Sequence, residues 1–317
     1  MAASGRGDDL ARFRREYPGQ CKDVAAFYLS LEMTAHGSYQ NRPGDPVDLV
    51  DIHVWGDGAR VCVERLFLSD RENVPHWFKG GRDVLCATPR CSITLTSQPD
   101  KTLVVTNLRR DESGYCAGLA RVRTDAAFVT APFCFINETI ADFLLKSKGV
   151  MLTKLNKSQV EGQEIAQVFW QEKANVAERE GHFDFLPNRN WVLHGYEVAT
   201  IRKSSPYYPK PSRRFASIKY KDEADFDFPL PSEVKFWVES PEFGGTPSYI
   251  QKDEVTKVSR QLSDTDIFEL AHYDLEPRIR KRYGPYLWLV IGLVASTCGA
   301  VFFRYLASRA RQSRQGK

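Results

Sequence analysis

Leu10, Phe13, Tyr17, Cys21, Val24, Tyr28 and Leu31 recur at spacings of three and four, which sets them on one face of an amphipathic helix. Pro18 falls inside this run, so the helix either kinks there or starts near it. After the turn residues NRPG at 41–44 the period changes from 3.6 to 2. Val50, Ile52 and Val54 alternate with Asp51, His53 and Trp55; Gly56-Asp57-Gly58 supplies a tight turn, and Val61 and Val63 alternate with Arg60, Cys62 and Glu64. Alternation continues through 84–87, 92–96, 103–107 and 115–121, joined by turns with no crossover helix, and this is the signature of an antiparallel meander. A second helix is predicted over 138–147 (ETIADFLLKS), closed by Gly149. Strands resume at 150–155, 165–172, 182–186, 191–201, 215–220 and 233–239, with Pro187-Asn188-Arg189-Asn190 turning one hairpin.

The fold class that follows is α+β: a strongly curved antiparallel sheet, a half-barrel, with helices on its concave side. Roughly ten strands are more than a flat open sheet carries comfortably, so curling is expected. The expected organisation is a helical segment over 1–40 covering the sheet, the half-barrel over 41–240, a polar tether over 241–282, one transmembrane helix over 283–306 and a basic tail over 307–317.

The expected anchor rests on the uncharged run from Tyr283 to Phe303. At about 1.5 Å per residue such a run crosses a hydrocarbon core of roughly 30 Å. Tyr283, Tyr286 and Trp288 crowd one end, and Phe303, Arg304 and Tyr305 the other, at the levels where amphipathic and cationic groups meet headgroups. The anchor changes the meaning of the charge. The chain of 317 residues has 44 Lys and Arg against 40 Asp and Glu, a net +4. Segment 278–317 holds nine of the cations and no acid, so residues 1–277 hold 35 cations against 40 acids and carry −5. Nucleic-acid binding, which needs a basic face, loses its support. Four cations precede the anchor and five follow it, so the positive-inside rule does not decide orientation. No apolar signal segment is visible in MAASGRGDDLARFRREYPGQ, which taken literally leaves the domain in the cytoplasm.

Chemistry-bearing patterns are scarce. There is no P-loop, G-x-G-x-x-G, G-x-S-x-G, H-E-x-x-H or C-x-x-C, and the six histidines do not sit at ligand spacing. No enzyme activity, cofactor or metal is expected. The acids of KDEADFDFPL read as a solvated loop. Cys86 and Cys91 flank the turn-like ATPR and are placed to pair across a hairpin in an oxidising compartment; in a reducing one they are buried thiols.

The order of elements carries a resemblance. A leading helix ending in AFYLSLEMTAHGSYQ, hairpins of the type VDIHVWGDGARVCVERL, a middle helical insertion, and then GHFDFLPNRNWVLHGYEVATI and ASIKYKDEADFDFPLPSEVKFWVES resemble the LolA, LolB and RseB group of bacterial envelope proteins over about residues 10–240. The resemblance implies an unclosed β-barrel covered by helices, a periplasmic setting, and binding of lipoprotein acyl chains or sensing of envelope components. This chain departs from the soluble carriers in its expected anchor, which favours a stationary binding or sensing role. The expected partners are the bilayer and a lipid, a lipoprotein or another envelope protein.

The expected ligand cavity is lined by inward strand residues, the candidates being Val50, Ile52, Val54, Val61, Val63, Leu103, Val105, Phe183, Phe185, Trp191, Leu193, Phe236 and Val238. Which parity faces inward is left open, because a slip of one residue exchanges the faces. The alternative is an interaction module with a core filled by its own side chains, making partner contacts through the loop around Tyr207 to Arg214.

Overall fold

The computed structural model describes residues 5–68, 79–89, 91–98, 102–109, 112–136, 138–160, 162–173, 177–202, 211–240, 244–268 and 270–273. The chain divides into two units, Met1–Phe268 and Glu269–Lys317. Of the second, only the 3-10 turn Leu270–Tyr273 lies among the described residues. The expected anchor, with Tyr283, Tyr286, Trp288, Phe303, Arg304 and Tyr305, falls outside them. Among the described residues no helix is long and apolar enough to cross a membrane.

The first element is helix α1, Gly5–Tyr28, which continues through Pro18. Pro18 and Arg14, whose carbonyl the ring deprives of its donor, both lie on the exposed side, where water can serve the carbonyl. The predicted stripe is the buried one: Phe13, Tyr17, Cys21, Val24 and Tyr28 are core residues, as is Leu31 just beyond the helix. The chain after the helix is held against the first hairpin, with Gly56 N–H donating to Leu31 O at 3.0 Å and Gly58 N–H to Leu29 O at 2.9 Å. A Cβ at Gly56 would stand 2.2 Å from Leu29 O, so the approach requires glycine there.

A single 13-stranded antiparallel sheet, curved and unclosed, follows. Its first half is a meander of β1 (Glu32–Gln40), β2 (Asp48–Gly56), β3 (Val61–Leu68), β4 (Lys79–Thr88), β5 (Cys91–Ser97) and β6 (Leu103–Arg109). A helical insertion comes next: α2 (Glu112–Asp125), α3 (Ala127–Thr130), the small ribbon β7 (Cys134–Phe135) and β8 (Glu138–Thr139), and α4 (Ile140–Lys146). The second meander is β9 (Val150–Val160), β10 (Gln163–Lys173), β11 (Ala177–Leu186), β12 (Val192–Arg202), β13 (Ser212–Lys221), β14 (Leu230–Glu239) and β15 (Pro247–Ser259). The two halves join where the last strand pairs with the first, so the sheet's edges are β6 and β9, the strands on either side of the insertion.

Three segments differ from the sequence expectation, each for a local reason. Residues 32–40, expected to be helical, form β1; Met33, Ala35 and Gly37 are buried in alternation with Thr34 and His36, so the period has already changed to 2. Residues 115–121, expected as a strand, belong to α2, whose buried Val122 and half-buried Leu119 are three apart. Gly114 and Gly118 hide the helical pattern, and Gly118 is needed because a Cβ there would stand 2.8 Å from that of Ala87. Part of the expected tether, 247–259, is β15, paired on both sides. Its buried residues Gln251 and Asp253 are polar, which removes the hydrophobic alternation that would have announced a strand.

One face of the sheet carries α1, α2, α3 and α4 and a single apolar core. Thr139 caps α4, its Oγ1 accepting from Asp142 N–H at 3.1 Å. On the opposite face, residues 263–268 are fastened by Glu32, which accepts from Ser263 Oγ at 2.8 Å and from His53 at 2.9 Å, while Arg60 lies over the Phe268 ring at 4.3 Å.

The cysteine pairing is corrected as well. Cys86 is bonded to Cys62, its direct neighbour in the β3–β4 register, whereas Cys91 is a free thiol opposite Thr88. Hairpin register decides this, because β5 places Ile93 rather than Cys91 opposite Cys86. With a sequence separation of 24, loss of the cross-link is expected to cost about 3 kcal/mol. Urea unfolding of the Cys62→Ser, Cys86→Ser variant should show that loss, and reductant should shift the wild-type midpoint but not the variant's. A wild-type midpoint indifferent to reductant would count against the bond.

Candidate functional site

The concave face is occupied unevenly. Under α1 and α4 it is filled by rings: Phe135, Phe143, Trp170 and Phe183 pack with centroids 4.7–6.1 Å apart, and Phe13 and Tyr17 lie 5.6 and 4.8 Å from Phe185. Beside α3 the filling stops. That helix and its flanks present the small side chains Thr124, Ala127, Thr130 and Ala131 to β12–β15, and a cleft of about 380 Å³ is left between them. Tyr196, Phe236 and Val238 form its strand wall.

Two features give the cleft character beyond its shape. Ile136 borders it with φ 56°, a left-handed conformation that a β-branched residue adopts only at a cost of roughly 1–3 kcal/mol. The strain holds an apolar side chain, 44% exposed, at the opening. The other feature is a polar row on β15. Tyr249, Gln251 and Asp253 face Val238, Phe236 and Val234 in register. Tyr249 Oη donates to Gln251 Oε1 at 3.2 Å, and Gln251 Nε2 to Asp253 Oδ2 at 3.0 Å.

Asp253 is 0% exposed, and its Oδ1 has no hydrogen-bond partner among the described residues. It fits because its partner across the β1–β15 pair is Gly37, where a Cβ would stand 3.0 Å from Oδ1 and 2.7 Å from Val50 Cγ1. Burial pushes the carboxyl up to about 7, against the Gln251 hydrogen bond, which lowers it. Burial likewise raises Tyr249 to about 12 and holds the Tyr39 hydroxyl above its ordinary range. Tyr196 also rises to about 12 by burial, against the nearby Arg214 guanidinium, which lowers it.

Of the predicted cavity residues, Phe236 and Val238 line this cleft. Val50, Ile52, Val54, Val61, Val63, Phe183, Phe185 and Leu193 face the same side but are packed core, and Trp191 is half-buried against Phe13. Leu103 is half-buried on the edge strand β6, and Val105 there is exposed. The cavity candidates did not include Tyr249, Gln251, the small residues of α3 or Arg214, which was expected in the partner-contact loop but lies on β13; residues 207–210 of that loop fall outside the described residues. Arg214 had a usable signal, since it shares a face with Ala216 and Ile218 once the parity of β13 is known. His182 and His194 do not face each other across the hairpin: His182 faces Glu197, and His194 sits at a register shift. Among the described residues no group of His, Cys, Asp and Glu could hold a metal ion.

No family model matches the chain, and no curated protein matches its sequence. Among the solved structures similar to the chain are two of known source. One is a DUF1329 family protein from Desulfovibrio piger, 10% identical, covering 81% of this chain and 99% of that one, with a TM-score of 0.42. Another, from Vibrio parahaemolyticus, is 9% identical and covers 80% of this chain and 97% of that one, also with a TM-score of 0.42; it is described as an outer membrane lipoprotein-sorting protein domain.

Proposed function

We propose that the protein is a non-enzymatic binding or sensing protein of the bacterial envelope that holds an apolar ligand, a lipid or a lipidated chain, in the cleft beside α3, with residues 283–306 as its membrane anchor. The observation that carries this reading is the cleft itself. In a sheet whose remaining inner face is closed by large rings, small residues on α3 and a strained Ile136 keep an apolar space open. Its volume of about 380 Å³ lies within the span of small-molecule sites, roughly 300–1,000 Å³. The anchor supports a stationary holder rather than a shuttling carrier.

The test is extraction of the purified domain, lacking residues 283–317, with organic solvent, followed by mass spectrometry. Co-purified lipid, or uptake of a fluorescent fatty acid, is the expected result. A clean extract from a domain that also takes up no fatty acid would leave the second reading, an interaction module with a filled core, which the ring cluster under α1 and α4 favours. The envelope setting is tested separately: protease added to spheroplasts should cut the domain, and full protection would contradict it.

A further inference from the structure

Among the described residues lining the cleft, Arg214 is the charged one. It lies on the cleft-facing side of β13, opposite Val238 in the β13–β14 register and Val198 in the β12–β13 register. No carboxylate or hydrogen-bond partner meets it among the described residues. Arg214 is exposed, as are Arg14 and Arg109, equally unpartnered among the described residues; its place on the cleft wall sets it apart, whereas Arg65 is held by Asp83 and Asp125, Arg121 by Asp125, and the adjacent Arg213 by Glu197. Of the other polar residues that line the cleft, Tyr249 and Gln251 are engaged in the hydrogen-bonded row that ends on Asp253. The cleft thus ends on an exposed guanidinium that meets no protein acceptor among the described residues and lies close enough to Tyr196 for its charge to act on that buried hydroxyl.

We propose that the ligand is a single-chain amphiphile with a carboxylate head, a long-chain fatty acid, whose chain lies along Ala127, Ala131 and Phe236 and whose head is paired with Arg214. This rests on the lipid-binding reading above and adds the head group and the number of chains. Carboxylate is favoured because one planar guanidinium offers a fork of two parallel N–H bonds to a monovalent anion, whereas a doubly charged phosphate would ask for a second cation. A single chain is favoured because about 380 Å³ is near the lower limit of ligand pockets, roughly 300 Å³.

The test uses the full-length chain in phosphatidylcholine nanodiscs and two photoactivatable probes, a diazirine-bearing hexadecanoic acid and the matching hexadecanol. Labelling is quantified on peptides covering 124–136 and 230–239. The acid is expected to half-saturate these peptides at a concentration about tenfold below the alcohol. Arg214→Gln should bring the acid to the level of the alcohol while leaving alcohol labelling unchanged, which also shows that the variant is folded. Arg213→Gln, altering a cation already paired with Glu197, should keep the preference. Equal labelling by acid and alcohol in the wild type, or a preference that survives Arg214→Gln, overturns the head-group assignment and leaves the apolar cleft standing. Labelling of these peptides by neither probe overturns both.

Discussion

Phe183→Ala is expected to destabilise the domain by about 3–5 kcal/mol, a large part of the 5–15 kcal/mol that holds a typical domain together. Phe183 is fully buried, and its ring meets Phe135 at 5.1 Å, Trp170 at 5.8 Å and Tyr196 at 6.0 Å. Each of these neighbours is itself fixed by a further ring or helix, so the space left by truncation has little to collapse into it, and the cavity term adds to the lost burial. Trp170→Phe is expected to cost much less, because the Trp170 indole N–H has no acceptor among the described residues and its loss removes volume without orphaning a partner. Urea unfolding measures both. A loss below about 1 kcal/mol for Phe183→Ala would mean that this part of the concave face is loosely packed and that the ligand space extends under α4, not only beside α3.

A period-2 pattern identifies the strands and, through Val50, Ile52, Val54, Val61 and Val63, the buried face of the first hairpin, all of which lie in the core. It does not distinguish a residue that meets another side chain from one that meets a cleft, since both are apolar and both point inward. What separates Phe183 from Phe236 is the helix opposite: α4 brings Phe143 to the first, and α3 brings alanines to the second. This information lies in residues 127–146, far along the chain from either strand. β15 escaped for a related reason, since its buried positions Gln251 and Asp253 are polar and break the apolar alternation. Helix α1 was legible because its stripe is fully apolar, and α2 was not because two glycines interrupt it.

Stability should fall as pH rises from about 4 to about 7 through Asp253 alone, by an amount on the order of 4 kcal/mol. The carboxyl titrates near 7 in the folded chain against an ordinary 3.8. Between those values the folded state keeps a proton that the unfolded state has lost, so folding is favoured by acid there. The contribution is complete below the unfolded value and lost above the folded one. Asp253→Asn stays neutral at every pH, its amide oxygen can accept the Gln251 bond, and its size suits the space that Gly37 leaves. The variant should therefore match the wild type near pH 4 and exceed it in stability near pH 8, with the gap opening across the interval between. Urea midpoints of the two proteins at both pH values decide this. A stability difference that is the same at pH 4 and pH 8 would show that Asp253 is charged in the folded chain, and the buried end of the β15 row would then have to carry an anion within reach of Tyr39 and Tyr249, whose hydroxyls feel its charge. A charged Asp253 would also weaken the case for an anionic head deep in the cleft and press it toward Arg214, so one titration constrains both the stability of strand β15 and the placement of the ligand.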